Sequence, residues 1–410
     1  MTRSTAASPD EPLLAGLTVI DFTRVLAGPY ATRMLADLGA RVIKIERPGE
    51  GDEIRHTVLQ LDPARTDQSS YFARLNAGKE SIAIDLAHVQ AREVVLDLVR
   101  SADVVVENFS PGVMTRYGLD DAALRPLRPD LVYCSISGFG QTGPLSSMQA
   151  YAHLINAISG MMDLDRGGES QPRVAYLQAA DVLAGAHAFG AICAALVRRG
   201  RSGRGAYLDV SMLECLVAAD DITYGALLNG GKVQREPRIG MVVQPIGGRY
   251  LAMQSAGAPH LWSRLVALIG HPELETDARF STPMARRANW PALLKILRAW
   301  LSGFDSVDQA VKTLSAARIP AVPMLSPEEV IEHPQLAARS AFPEIEHRGR
   351  GRVRVTALPF HVDGQPVAPG GPAPYRVGQH TRGILAELGY DSERIDALRS
   401  LRVVEIPDEF

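Results

Sequence analysis

Asp181 opens an alanine- and glycine-rich helical stretch, AADVLAGAHAFGAICAALV, where free N–H groups and the helix dipole favour an ionised carboxylate. Such a carboxylate can cap the helix or attack an electrophile, and from position alone the cap is the simpler role. His153 and His187 lie in apolar helical stretches, where a histidine is usually a hydrogen-bonded core residue. His187, six residues beyond Asp181, falls well off the same helix face. Cys134, Cys193 and Cys215 are far apart and form no CxxC, which fits buried, reduced thiols in a cytoplasmic protein and no metal site. The run GRSGRG (Gly200 to Gly205) resembles a phosphate loop, but it follows a helix and precedes a strand. Anion binding needs the opposite order, so the run is read as a turn. GxGxxG, Walker, HExxH and GxSxG patterns are absent. Asn108-Phe109-Ser110 fits a glycosylation sequon by chance, with no secretion signal beside it.

The elements that would carry these residues alternate. LTVIDF (Leu17 to Phe22), RVIKIE (Arg41 to Glu46), SIAIDL (Ser81 to Leu86), DVVVE (Asp103 to Glu107) and LVYCS (Leu131 to Ser135) read as strands. Helical stretches from Pro29 to Gly39, Ala91 to Ser101 and Asp181 to Arg199 fall between or after them, and a strand at Tyr207 to Val210 follows. That alternation predicts an α/β fold with a parallel, Rossmann-like sheet. The expected boundaries are a disordered leader (1–13), a large domain (14–223), a linker (224–243), a small α/β domain (244–325), a second linker (326–345) and a C-terminal part completing the large domain (346–410). In the small domain a strand is expected at Tyr250 to Met253, with helices at His260–Ile269, Trp290–Gly303 and Ser306–Ala317. Thr381 to Leu388 is read as a closing helix.

A formal net charge of −3 over 410 residues gives no reason to expect nucleic acid or an anionic membrane as partner. The polar leader lacks a signal peptide's apolar core. The longest apolar run, Val182 to Val197, is interrupted by His187 and is read as a buried helix of a soluble core.

Several blocks resemble the signatures of class III CoA-transferases. They are VIDFTRVLAGPYATRMLADLGARVIKIERP (Val19 to Pro48), VENFSPGVMTRYG (Val106 to Gly118), SISGFGQTGP (Ser135 to Pro144) and GRSGRGAYLDVSMLE (Gly200 to Glu214). HPELETDARF (His271 to Phe280), RIPAVPMLSPEEVIEHPQL (Arg318 to Leu336) and VGQHTRGILAELGY (Val377 to Tyr390) continue the match in order. The family includes formyl-CoA transferase and carnitine CoA-transferase and is related to α-methylacyl-CoA racemase. The resemblance implies an open-ring chain that interlocks with a second copy as a homodimer. It also implies a transfer of coenzyme A from an acyl-CoA, with succinyl-CoA a candidate donor, to a carboxylic acid, with Asp181 as nucleophile. CoA contacts are implied at Val25, Arg47, Asn76, Lys79, Asn108 and Arg116, and Leu26, Gly138, Phe139 and Tyr151 are expected near the substrate. Acyl-CoA would be the substrate, with no permanently bound cofactor.

Two departures bear on the substrate. Formyl-CoA transferase carries glutamine where this chain has Leu26, and a glycine run where this chain has GMVVQPIGG (Gly240 to Gly248). Racemases of the superfamily use a histidine that falls here on Tyr151, a poor base near neutrality. A 2-methylacyl-CoA racemase and a non-catalytic CoA-binding protein are the competing readings. Arg24, beside Val25, is a candidate partner for a second carboxylate or a solvated charge.

Overall fold

The computed structural model describes residues 11–166, 170–220, 223–233, 240–254 and 259–408. The leader before residue 11 and residues 234–239 of the expected first linker lie outside these. The chain forms two compact units. One comprises Met1–Arg166, Gln171–Val233 and Gln335–Phe410, and the other comprises Gly167–Ser170 and Gln234–Pro334.

In the larger unit, β1 (Thr18–Asp21) leads into α1 (Ala27–Asp37), β2 (Arg41–Glu46), α2 (Ser70–Asn76) and β3 (Lys79–Ile84). Next come α3 (Ala91–Arg100), β4 (Val104–Glu107), α4 (Val113–Tyr117), α5 (Asp121–Leu124) and β5 (Val132–Ser137). After α6 (Ala152–Ile158) and α7 (Met161–Asp165), the long α8 (Ala179–Ser202) precedes β6 (Ala206–Ser211) and α9 (Met212–Ala218). The order across the sheet is β3-β2-β1-β4-β5-β6, all parallel, and Val404–Glu405 pairs antiparallel along β3. The chain thus winds outward from β1, returns to β4 beside it, and winds the other way. This leaves a switch point between β1 and β4, where a crevice at the carboxyl ends of the strands can take a ligand.

Alternate residues of the strands feed two cores, as strand geometry requires. Ile20, Ile43, Ile45 and Val105 pack with Val94 and Leu98 of α3 and with Ile384, Leu385 and Ile395 from the C-terminal helices. Val19, Val42, Val104 and Cys134 pack on the opposite face with Ala31 and Leu35 of α1 and Ala180, Ala184 and Ala188 of α8. Val104–Glu107 and Val132–Ser137 are buried throughout, which matches the continuous apolar runs expected of covered parallel strands.

The smaller unit has a three-stranded antiparallel sheet of Met241–Ile246, Arg249–Gln254 and Ala321–Pro323. Helices Pro259–Leu268, Trp290–Leu301 and Val307–Ala316 supply its core with Trp262, Leu265, Leu293, Leu297 and Leu314. Gly240–Gly248, the counterpart of the glycine run, is mostly strand closed by a Gly247-Gly248 turn with both residues at positive φ.

One expectation needs correction. The apolar stretch in α8 is not a buried core helix throughout. The helix is 24 residues long and apolar enough to cross a membrane by length and composition, yet only 33% of its most apolar window is buried. Its Ala180, Ala184 and Ala188 face the sheet, while Ala186, His187 and Gly190 lie exposed.

Candidate active site

Asp181 sits in the first turn of α8, whose N-cap position is taken by Gln178, so its carboxylate does not cap the helix. The backbone N–H of Ala27, the first residue of α1, lies near enough instead to favour the carboxylate's ionised form. The approach of the two helices depends on Gly185, one turn further along α8. A Cβ at that position would lie 2.5 Å from the Ala27 carbonyl oxygen and 3.0 Å from the Tyr30 ring. Gly28 has a similar role inside the turn, because a Cβ there would strike the Thr23 side chain at 2.3 Å.

Burial pushes the Asp181 carboxyl up to about 6, against the nearby Ala27 N–H and the His153 charge, which both pull it down. Burial, with the Asp181 charge added, pushes the Tyr71 hydroxyl up to about 12, and that hydroxyl donates to Gln178 Oε1 at 3.4 Å. The buried carboxylates Asp21, Asp37, Glu46 and Asp52 each hold a cation within 3.0 Å. Asp181 has no such salt bridge among the described residues. A partly buried carboxylate beside two helix N-termini, without a counter-ion, suits a reacting group better than a structural one.

The turn from β1 to α1 supports this carboxylate. Val25 has φ +65, a region that a β-branched residue rarely enters. Its N–H donates to both oxygens of Asp52, at 3.2 and 3.3 Å. Lys44 lies beneath, with Nζ 3.0 Å from Asp52 Oδ2 and 2.6 Å from the Thr23 carbonyl. On the other side of the switch point, Asn108 accepts from Arg24 N–H and donates to the Arg24 carbonyl, both at 2.8 Å.

A buried ionic network extends from there along the α1 face of the sheet. Lys79 Nζ contacts Asp21 Oδ2 at 2.9 Å, Thr32 Oγ1 at 2.8 Å and Asn76 Oδ1 at 2.9 Å. Burial would raise Asp21, but Lys79 and Lys44 hold it at about 2. Burial and the nearby Lys44 charge lower Lys79 to about 8, even with Asp21 opposing them. Glu46 is likewise held at about 2, because Arg55 outweighs burial. Arg55 binds it through Nε and Nη2 at 2.8 and 2.7 Å and stacks over Phe72.

The residues expected at the site divide into three groups. Val25, Leu26, Arg47, Asn108, Gly138 and Phe139 lie at or just beyond the carboxyl ends of β1, β2, β4 and β5, along one edge of the sheet. Arg47 is exposed and pairs with Glu50 at 3.0 Å, and Arg116 is exposed on α4. Asn76 and Lys79 are different: they are buried, and the polar groups of Lys79 meet internal partners. The expectation that Lys79 offers its ammonium at a sheet end is therefore corrected, since β3 begins at this residue and its side chain runs inward to Asp21.

Leu26 is also buried, within an apolar cluster with Ile54, Phe72 and Leu75. Tyr151, at the N-cap of α6, is 69% exposed. His153 and His187 are exposed rather than core residues, and it is the His153 charge that reaches Asp181. Arg24 is exposed, with its guanidinium 5.2 Å from the Phe109 ring centre.

Glu107, at the end of β4, is a second buried carboxylate without a salt bridge among the described residues. Burial raises it to about 7, although it accepts a 2.8 Å hydrogen bond from Phe109 N–H and a bond from Ser135. Cys134 and Cys215 are buried and Cys193 is partly so, all three as free thiols. No cluster of three or more His, Cys, Asp or Glu side chains able to hold a metal occurs among the described residues. A cavity of about 630 Å3 bordered by Pro48, Gly49, Arg402 and Asp408 lies beyond Arg47 and contains none of the expected site residues.

Sequence reasoning missed Asp52, Lys44, Ala27, Tyr71 and Gln178. A signal existed for Lys44 only: a lysine inside a strand that a parallel sheet buries on both faces must have an internal anion.

Known proteins share the sequence pattern and the fold of this chain. The profile of CoA-transferase family III matches residues 14–381. Acetyl-CoA:oxalate CoA-transferase of Acetobacter aceti is 40% identical over 350 residues, covering 83% of this chain and 87% of that protein. Human succinyl-CoA:glutarate CoA-transferase is 31% identical over 405 residues, covering 96% and 90%. The crystal structure of a CAIB/BAIF family protein from Brucella suis superposes with a TM-score of 0.77 at 31% identity, over 92% of this chain and all of that one. The chain belongs to CoA-transferase family III, with Asp181 facing the first turn of α1 at the carboxyl edge of its sheet.

Proposed function

We propose that the protein moves CoA from an acyl-CoA to a carboxylic acid through covalent intermediates on Asp181. The observation that carries this reading is the Asp181 carboxylate, partly buried, without a salt bridge among the described residues, and beside the Ala27 N–H at the start of α1. Above pH 6 it is mostly ionised, and burial leaves it a stronger nucleophile than a fully solvated carboxylate. An Asp181 oxygen attacks the thioester carbonyl. The C–S bond breaks, and CoA leaves as thiolate from a mixed anhydride. The thiolate then attacks the aspartyl carbonyl, which releases the donor acid and leaves an aspartyl-CoA thioester. The acceptor carboxylate attacks that thioester, forming a second anhydride and freeing the thiolate again. Attack of the thiolate on the acceptor's carbonyl gives the new acyl-CoA and restores Asp181. When the thiolate or the acceptor carboxylate attacks the aspartyl carbonyl, charge develops on an aspartyl oxygen, and the Ala27 N–H beside it would stabilise those two steps.

Arg47, Asn108, Arg116 and the backbone at Val25, Gly138 and Phe139 are the proposed CoA contacts on the same edge. Relatives named for oxalate and for succinyl-CoA and glutarate make short dicarboxylic acids and their thioesters the acids to try first, succinyl-CoA as donor among them. The exposed apolar residues of α8 fit a second copy of the chain, as an interlocked homodimer requires, and a cytoplasmic location suits a substrate of this kind. Sedimentation giving a stable monomer would remove the dimer reading.

A racemase remains the second reading because the His153 charge reaches Asp181, a histidine–aspartate pair that could exchange a proton at C2 of an acyl-CoA. One assay separates the two. The protein is incubated in heavy water with succinyl-CoA, a 2-methylacyl-CoA and a mixture of short carboxylic acids, and all thioesters are weighed by mass spectrometry. New thioesters of the added acids are expected, and they should vanish in Asp181→Ala. A one-unit mass gain on the 2-methylacyl-CoA without new thioesters would overturn the transferase reading.

A further inference from the structure

We propose that Asp52, braced by Lys44, is a positioning residue for the transfer reaction: it holds Val25 in a left-handed backbone conformation that seats the first turn of α1 against the start of α8, where Asp181 lies. The inference rests on the transferase reading above. It begins from a strained residue. Val25 takes φ +65 although its branched Cβ disfavours that region, so something must hold it there. The Asp52 carboxylate does so by accepting Val25 N–H on both oxygens, at 3.2 and 3.3 Å.

Asp52 is itself fixed on three sides. Lys44 Nζ contacts its Oδ2 at 3.0 Å, its own N–H donates to Glu46 Oε1 at 3.0 Å, and its Oδ1 accepts Ile54 N–H at 3.3 Å. Asp52 is 1% exposed and Lys44 is fully buried, so the pair is screened little by solvent. Lys44 also donates to the Thr23 carbonyl at 2.6 Å, so one ammonium joins the start of the turn to the carboxylate that holds its middle. Two residues after Val25, α1 begins at Ala27, and this turn packs on the start of α8: Val25, Leu26 and Tyr30 share an apolar cluster with Val182, the residue after Asp181, and the Ala27 N–H favours the Asp181 charge. A change of φ at Val25 swings that N–H away from the carboxylate, and α8 cannot follow because Gly185 already lies against the Ala27 carbonyl. Strain at Val25 is therefore tied to the reacting group through the backbone.

The role predicts an interaction between positions 52 and 25 that a general stabilising role would not give. Glycine adopts positive φ without strain, so once position 25 is glycine the turn no longer needs Asp52 to hold it. The test is a double-mutant cycle of Asp52→Asn and Val25→Gly, with kcat, KM and the pH profile of kcat measured for each member. Asp52→Asn alone is expected to lower kcat at least tenfold with KM changed less than threefold, and to move the acid limb of kcat to higher pH because the Ala27 N–H that favours the Asp181 charge is displaced. In the Val25→Gly background the same substitution should change kcat less than threefold. An equal loss in both backgrounds, or no loss in either, would overturn the proposal. If Asp52→Asn alone fails to fold, the double variant decides: turnover within threefold of Val25→Gly supports the role, and a double variant that is also unfolded overturns it. Failure of the transferase reading looks different, since the unaltered protein would then make no new thioester or Asp181→Ala would remain active.

Discussion

Asp181→Asn removes the charge at the proposed nucleophile and keeps its shape, so it separates what the carboxylate does for catalysis from what it costs the fold. Burial pushes the carboxyl up to about 6 in the folded chain against an ordinary 3.8, outweighing the nearby Ala27 N–H and the His153 charge. An acid held above its ordinary value loses its proton more readily when the chain unfolds. Between these two values the unfolded chain binds fewer protons than the folded one, and stability falls as pH rises. The loss is absent below the lower value and complete above the upper one. At 1.36 kcal/mol per pH unit the difference is worth about 3 kcal/mol, and partial solvent contact reduces it to about 1–3 kcal/mol. Asparagine keeps the shape of the side chain but never ionises. At pH 8, Asp181→Asn should therefore be more stable than the unaltered protein by about 1–3 kcal/mol, which at about 2–4 °C per kcal/mol is a rise of about 2–12 °C in Tm. At pH 4 the two should melt together, and the variant should make no new thioester at any pH. Melting curves by calorimetry at pH 4, 6 and 8 are the measurement. A difference that stays constant with pH, or a variant less stable at pH 8, would refute the account of an unpaired, burial-raised carboxylate.

Five further substitutions test the surrounding architecture. Gly185→Ala puts a methyl group 2.5 Å from the Ala27 carbonyl, so it should cost about 1–3 kcal/mol in unfolding experiments and slow turnover by moving Asp181 away from Ala27. Lys79→Met leaves Asp21 buried beside Thr23 and Thr32 with its nearest cation gone, and should cost about 3–5 kcal/mol. If Lys79 is internal, as its contacts show, the salt dependence of CoA binding in any folded fraction should be unchanged, whereas Arg47→Gln and Arg116→Gln should weaken binding and flatten that dependence. Leu26→Gln places an amide among Ile54, Phe72 and Leu75 and should cost about 1–3 kcal/mol by chemical denaturation; an equally stable variant would mean that the amide finds a polar partner at the acyl site.

The strand order and the position of Asp181 differ in how far they could be read from the amino acids. β2, Arg41–Glu46, has the expected bounds, and the other strands of the large sheet differ by one or two residues because their ends are set by hydrogen bonds to neighbours. The helix bearing Asp181 begins two residues earlier than expected and ends at Ser202, since alanine and arginine propagate a helix that only Gly203, with φ +66, interrupts. Helix Ser392–Ser400 and strand Val404–Glu405 were not anticipated. The strand is only two residues long, and its pairing with β3 joins segments about 320 residues apart, which no local pattern encodes.

The support of the turn was the least legible part of the site, and the reason is physical. Asp52 lies in a polar stretch, PGEGDEIRH, that reads as surface loop, yet it is 1% exposed. What buries it is Lys44, whose place in β2 puts its side chain on the α1 face in register with Asp21 and Ser81. A lysine in a covered strand demands an anion, but the strand cannot say which of the many carboxylates answers it. The choice depends on where the loop after β2 returns, and that is set by Arg55 reaching back to Glu46 on the same strand. Residues that touch substrate can thus be matched one by one from a pattern of types, whereas those that hold the backbone in a strained shape become visible only when the chain is closed around them.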